Sequence, residues 1–294
     1  NFLEKTFRWL KFERYNYQNQ ALLSFARARG KLISHPFCEY GGPLPLVDKV
    51  DGEKFKQDLF EEFKVPLKIS FHPKLLPYFG GIEFPENQRE TYLLENLHLQ
   101  SAEQLWEKID RNRHRSIKTA LDQGFKIEKC QTIKDLKNLY TFYVKNLKRH
   151  KALVYPFSFF EFFFQNPKTE TLLVKKDEKI AGGNIFLFYD KIIHSFLCGF
   201  DEKYKRLGIH SLIIWSAIKQ GQEQGMEMFD LGAVRKTSPL EDFKQRWGAK
   251  SFPISELKNY TGQSKLKDSF LRDVWSYLPS SLIKVLSPYF IKYK

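Results

Sequence analysis

The alternation of apolar and polar positions is most informative between Ile192 and Gly248. Ile192 to Phe200 is a nearly unbroken apolar and aromatic run closed by Asp201, the pattern of a strand covered on both faces. Leu212, Ile213, Trp215 and Ile218 then put their apolar side chains mostly on one side, which predicts an amphipathic helix ended by Gly221 and Gly225. Met226 to Leu231 returns as a second strand, and a short helix carrying Phe243, Lys244 and Trp247 follows. A strand, crossover helix, strand order makes the two strands parallel neighbours in one sheet.

The rest of the chain continues in the same mixed style. Asn1 to Arg29 interleaves Phe7, Trp9, Phe12, Tyr15 and Tyr17 with Arg8, Lys11, Arg14 and Arg27. This reads as a hairpin turning at Asn16 to Gln20, with base stacking as the alternative use of the same residues. Gly52 to Phe63 predicts a short helix, Val65 to Phe71 a strand, Phe71 to Asn87 a Pro- and Gly-rich loop, and Glu90 to Leu99 a strand. Ser101 to Gly124 predicts one long helix, capped by Ser101 with Glu103 and Gln104 in its first turn. Its inner stripe is Leu105, Ile109, Ile117 and Leu121, while Arg111, Arg113, Arg115 and Lys118 gather on the other side. Aligned cations repel one another, so this face either meets an anion such as a phosphate or is simply solvated.

Phe125 to Cys130 predicts a strand, Thr132 to His150 a helix, and Tyr155 to Phe164 an aromatic helix covering the core. Thr171 to Lys176 and Lys179 to Tyr189 form a hairpin turning at Asp177 and Glu178, with Gly182 and Gly183 where side chains would obstruct a neighbour. Two amphipathic segments parted by Pro279 close the chain. The first carries Leu266, Phe270, Leu271, Val274, Trp275 and Leu278; the second carries Leu282, Val285, Leu286, Tyr289 and Phe290. With Lys267, Arg272, Lys284, Lys292 and Lys294 alongside, they suit either an anionic membrane surface or docking onto the protein's own core.

Composition narrows the partners more than the fold. A length of 294 residues suggests about two domains. A net charge of +14 favours polyanions, namely tRNA, the phosphates of coenzyme A or a nucleotide sugar, or an anionic membrane leaflet, with mere solubility as the plain alternative. The three cysteines, Cys38, Cys130 and Cys198, form no CxxC pair and sit in apolar or strand-like settings, so a reducing cytosol is expected and a disulfide framework is not. The sequence has no apolar run of about eighteen residues, so no spanning helix is expected. A start at Asn1 leaves room for a removed N-terminal piece.

No GxSxG, HExxH, P-loop or GxGxxG motif occurs, and the seven histidines lack metal-ligand spacing. Serine hydrolase, zinc protease, nucleotide kinase and dinucleotide oxidoreductase readings therefore lose support, and no metal is expected. Acyl transfer to an amine asks for less: donors for an oxyanion, an acceptor for the amine proton, and two substrates held in register. Asp230, at a strand end, is placed to orient the amine or take its proton, unless it caps a neighbouring loop. His194 is a cleft residue or a core histidine.

The order of strand, RLGIH turn, helix, FDLG strand and FKQRWG resembles the C-terminal half of the GNAT acyltransferase superfamily. With KLISHPFCEYGGPLPL (Lys31 to Leu46) and RNRHRSIKTALDQGF (Arg111 to Phe125), the chain resembles that superfamily's two-domain Fem-like branch. That branch comprises aminoacyltransferases building peptidoglycan bridges and related acyltransferases of envelope polysaccharides. The resemblance implies an α/β fold of tandem GNAT-like domains: a degenerate half over residues 1–122, a half with the donor turn over 123–262, and a helical tail over 263–294. It implies transfer of an acyl or aminoacyl group from a coenzyme A thioester or a charged tRNA to an amine of a lipid- or nucleotide-linked precursor. The protein would be cytoplasmic, or peripheral at the inner membrane face. Lys244, beside Phe243, is implied to stabilise the oxyanion, and the turn Arg206, Leu207, Gly208, Ile209, His210 to hold the donor phosphates. Tyr40, Gly41 and Gly42, with Arg111 and Arg115, are implied to border the substrates. The turn keeps Arg206 and Gly208 of the GNAT superfamily's Q/RxxGxG/A loop but has Ile209 and His210 after them, a departure that counts against coenzyme A. The alternatives are a coenzyme A-dependent N-acyltransferase acting on an amino sugar of an exopolysaccharide, and a non-catalytic module that binds tRNA or lipid.

Overall fold

A computed structural model describes residues 2–28, 30–260, 275 and 277–291. In chain order the elements of the first part are α1 (Phe2–Thr6), β1 (Lys11–Tyr17), β2 (Ala21–Ala28), β3 (Lys31–Ser34), β4 (Leu44–Pro45), β5 (Val50–Asp51), α2 (Gly52–Glu62), β6 (Leu67–Phe71) and β7 (Phe79–Gly80). Then come β8 (Arg89–Glu95), α3 (Ala102–Lys108), α4 (Arg111–Asp122), β9 (Lys126–Lys129), α5 (Ile133–Arg149), α6 (Phe157–Gln165), β10 (Thr169–Lys176), β11 (Lys179–Tyr189) and β12 (Ile192–Phe200). They are followed by α7 (Ile209–Glu223), β13 (Met228–Arg235), α8 (Pro239–Gln245), β14 (Lys250–Pro253), β15 (Ser255–Lys258) and α9 (Ser280–Phe290). The chain is α/β, with two compact units: 1–91, 233–237 and 252–265 in one, and 92–232, 238–251 and 266–294 in the other.

The first unit is built on a sheet of order β1-β2-β3-β6-β15, with β4 added to β2. The expected N-terminal hairpin is present: Lys11 pairs with Arg27 and Tyr17 with Ala21, and Gln18 and Asn19 take positive φ in the turn. Its aromatic residues are packed rather than displayed. Tyr17, Phe25, Phe55 and Phe71 are buried in one core, and α2, capped by Asp51 on the N–H of Lys54, contributes Phe55 and Leu59. Gly41 and Gly42 belong to a tight approach between chain segments. A β-carbon on Gly41 would lie 2.5 Å from the Ser34 carbonyl oxygen, and one on Gly42 2.9 Å from the Phe71 α-carbon.

The second unit holds most of a seven-stranded sheet of order β14-β8-β13-β12-β11-β10-β9. The β10–β11 hairpin turns at Asp177 and Glu178, both at positive φ, as a two-residue turn matching strand twist requires. Helix α5 starts on the Thr132 hydroxyl, which accepts from the Asp135 N–H, and buries Leu136, Leu139, Tyr140, Tyr143 and Val144. Gly199 lets α5 press on β12, since a β-carbon there would meet the Tyr143 backbone nitrogen at 2.4 Å.

Three expectations need correction. The helix expected over Ser101 to Gly124 is two helices, α3 and α4. The capping box of Ser101 and Gln104 opens the first as expected, but Ile109 is extended and Asp110 recaps the chain by accepting from the Asn112 N–H. This break changes the phase of the second helix: Ile117 and Ala120 are buried, whereas Leu121 is 54% exposed. Second, Gly221 does not end α7, which runs on to Glu223 before Gly225 at φ +69 turns the chain away. Gly221 serves packing instead, because a β-carbon there would strike the Ile193 side chain at 2.3 Å. Third, β12 is not covered on both faces throughout, for Cys198 is exposed beyond the point where its pairing with β13 ends.

Of the tail, Leu266, Lys267, Phe270, Leu271, Arg272, Val274, Lys292 and Lys294 lie outside the described residues. Trp275 is buried and donates its indole N–H to the Ala152 carbonyl, and Ile283 is fully buried. Docking onto the core therefore accounts for one side of this region. Among the described residues no helix is long and apolar enough to cross a membrane.

Candidate active site

Strands β12 and β13 run parallel, as their crossover connection demands, but pair only from Ile192–Met228 to His194–Asp230. On the other flank of β12 the register with β11 slips between Ile185–Leu197 and Phe186–Ser195, leaving Phe196 as an extra residue. A bulge of this kind bends a strand locally. The last paired residues and the bulge therefore lie side by side, and His194 and Asp230 are found there.

His194 Nδ1 lies 2.9 Å from Asp230 Oδ2, and Asp230 is 1% exposed. The other carboxylate oxygen, Oδ1, accepts the Gly232 N–H at 2.7 Å. Gly232 sits at φ +81, a backbone conformation that a side chain would strain. Its carbonyl accepts from Lys244 Nζ at 2.7 Å. Three residues expected from the sequence, His194, Asp230 and Lys244, are thus joined through one glycine peptide. A carboxylate oxygen in its ionised form only accepts, so this contact puts an imidazole proton of His194 on Nδ1. The Lys244 ammonium has three N–H groups, one of which is on the Gly232 carbonyl.

Lys244 is carried by α8, whose Phe243 ring is stacked on the His210 ring at 4.7 Å with only 8° between their planes. The Arg113 guanidinium lies 4.7 Å from the centre of the same Phe243 ring and donates from Nη1 to the Ser211 hydroxyl at 3.1 Å. Its Nε is buried with no hydrogen-bond partner. Arg113 is the residue whose part the sequence reading underrated. It falls four positions before the buried Ile117, so the i, i+4 spacing of the inner stripe already placed it on the packed side. Arg111 and Arg115, by contrast, are exposed.

Burial, reinforced by the nearby charges of Arg113 and Lys244, pushes the His210 imidazole down to about 4. The His210 shift has a defined sign. Between its ordinary value of 6.5 and about 4, the unfolded chain takes up a proton that the folded chain refuses. Stability should therefore fall on the order of 1–3 kcal/mol as pH drops through this window and level off below it. Thermal melts of the wild type and His210→Phe over that range should converge in slope only if His210 titrates elsewhere.

The RLGIH turn has its own geometry. Arg206 lies in the last turn of a 3₁₀ segment over Glu202–Leu207 and is exposed, Gly208 takes φ +74, and Ile209, 1% exposed, begins α7. The backbone of α4 lies against this turn, so that a β-carbon on Gly208 would come 2.0 Å from the Ser116 carbonyl oxygen. Tyr40, Gly41 and Gly42 belong to the first unit, where the Tyr40 ring packs edge-on to His72 at 4.7 Å and the Gly41 N–H donates to the Ser70 carbonyl.

Residues 108–245 match the family model of the acetyltransferase (GNAT) domain. No curated protein sequence matches the chain significantly. Among solved structures the fold is similar to FemX, at 12% identity and a TM-score of 0.65, covering 89% of this chain and 91% of that one. It is also similar to the C-terminal domain of a putative lysylphosphatidylglycerol synthetase from Agrobacterium fabrum, at 16% identity and a TM-score of 0.63 over 88% and 87% of the two chains. A third likeness is to L-PGS from Bacillus licheniformis, at 13% identity and a TM-score of 0.60 over 95% and 96%. The strand end that gathers His194, Asp230 and Lys244 thus lies within the stretch that matches the GNAT acetyltransferase domain, in a chain whose fold is similar to that of FemX.

Proposed function

We propose that the protein transfers an acyl or aminoacyl group onto an amine of a cell-envelope precursor. The observation that carries this reading is the hydrogen-bonded chain from His194 through Asp230 and Gly232 to Lys244. The amine nitrogen attacks the acyl carbonyl carbon, and His194 Nε2 takes the proton that the nitrogen loses. Lys244 donates a hydrogen bond to the oxyanion formed. Collapse breaks the bond from the acyl carbon to the leaving sulfur or oxygen, which receives the proton back from His194. Atoms and charge balance without a metal or redox partner.

Arg206 to His210 are the candidates for the donor phosphates. Tyr40, Gly41, Gly42, Arg111, Arg115 and Phe243 are those for binding substrate. The likeness to a lysylphosphatidylglycerol synthetase, by name a maker of an aminoacylated lipid, favours an aminoacyl donor and an envelope acceptor. The departure of the donor turn from the Q/RxxGxG/A loop, with Ile209 and His210 after Gly208, points the same way. The second reading, a coenzyme A-dependent N-acyltransferase acting on an amino sugar, rests on the retained Arg206 and Gly208.

Incubation of the pure protein with charged tRNA or acetyl-CoA, each with peptidoglycan-precursor and amino-sugar acceptors, separates these readings. Labelled product from charged tRNA is the expected result. Product from acetyl-CoA alone transfers the assignment to the second reading, and no product from either leaves a non-catalytic module that binds tRNA or lipid.

A further inference from the structure

Helix α9 is apolar on nearly every side. Its sequence, SSLIKVLSPYF, holds a single charge, Lys284. A helix of that composition needs cover on more than one face. One face has it: Ile283 and Ser287 are buried at 0% exposure, Ile291 continues the stripe at 4%, and the Ser287 hydroxyl accepts the Val154 N–H. The opposite face does not. Leu282, Val285 and Tyr289, spaced three and four apart, are 46%, 61% and 66% exposed, and Tyr277 just before the helix is 85% exposed. Leaving such side chains in water forfeits the gain that covering each of them would bring.

The surrounding charge says what kind of partner can cover them. Lys284 lies 5.4 Å from the Tyr140 ring centre, and Lys137 lies 5.9 Å from that of Phe157, whose ring adjoins Tyr140 at 5.2 Å. On α5, which packs against α9, Lys134, Lys137 and Lys145 are exposed. From Val274 to the end the sequence has three lysines and no acidic residue, in a chain of net charge +14. Two copies of such a face would repel each other, whereas an anionic bilayer would attract it while accepting the apolar side chains among its acyl chains.

We propose that the outer face of α9, with Leu282, Val285 and Tyr289 inserted and Lys284 and the α5 lysines above them, is a docking surface for an anionic lipid bilayer. The proposal does not depend on the transferase reading, because it concerns binding alone. Its test is sedimentation of the full chain with vesicles of phosphatidylcholine, with and without phosphatidylglycerol. Wild type should bind the phosphatidylglycerol vesicles and be released by salt. A Leu282→Ser/Val285→Ser/Tyr289→Ser variant should bind at least roughly tenfold more weakly with its melting temperature retained, since all three residues are exposed. As a second measurement, Tyr289→Trp should shift its emission to the blue on phosphatidylglycerol vesicles only. The proposal is overturned by absence of wild-type binding, by a triple variant that binds as well as wild type, or by no emission change. It is equally overturned if the triple substitution instead abolishes a concentration-dependent dimer.

Discussion

Lys244→Ala should lower kcat about 100- to 1000-fold, the range seen when a single oxyanion donor is removed. KM should change little, because the donor acts on charge that exists only in the transition state. The fold should survive. Lys244 is half-buried at the end of α8, and its hydrogen bond to the Gly232 carbonyl has a net value of about 1 kcal/mol. That corresponds to a melting shift of about 2–4 °C in a domain of this size. Steady-state kinetics beside a thermal melt therefore separate a chemical role from a structural one. Wild-type turnover in the variant would remove Lys244 from the mechanism, and a collapse of the melt would make it a structural lysine.

Asp230→Asn should be more damaging, lowering kcat by about 10³- to 10⁴-fold by analogy with removal of the carboxylate that sets a catalytic tautomer. Both carboxylate oxygens of Asp230 accept, one from His194 and one from the Gly232 N–H. An asparagine has one acceptor and one donor to divide between the same partners. If its oxygen stays on Gly232, its NH₂ faces Nδ1, the imidazole proton moves to Nε2, and the base is lost. If its oxygen turns to His194, its NH₂ opposes the Gly232 N–H at a buried site, at a cost of about 1–3 kcal/mol. Either arrangement also disturbs the peptide that positions Lys244. Combining Asp230→Asn with Lys244→Ala should therefore cost less than the product of the single losses, as expected for groups acting as a unit. Strictly multiplicative losses would show that the two residues act independently.

Much of the fold was legible before any coordinate. The α5 helix, the Asp177–Glu178 turn, and the parallel strands on either side of the crossover helix all follow from rules spanning a few residues. Where those rules failed, a neighbour distant in sequence had intervened. Gly221 reads as a helix end, yet it continues α7 because Ile193 needs the space. Ser101 to Gly124 reads as one helix because the apolar stripe carries across Ile109 and Asp110, although the Asp110 carboxylate recaps the chain there. The spacing of Arg113 to Ile117 placed it on the packed side of α4, but that it lies over the Phe243 ring depends on a helix much further along the chain, a contact no local pattern encodes.

For the candidate site, the sequence by itself determined which chemical groups were present: one histidine and one aspartate on neighbouring strands, and a lysine on the helix after them. It could do so because residue type and strand order are local properties, readable from periodicity and from the handedness of a crossover. Only the tertiary structure decided that the strands stop pairing at His194 and Asp230, and that Gly232, at positive φ, turns its N–H to the carboxylate and its carbonyl to Lys244. Those facts depend on where a hydrogen-bond ladder ends and how a single peptide is oriented, and both are set by packing from segments far apart in the chain.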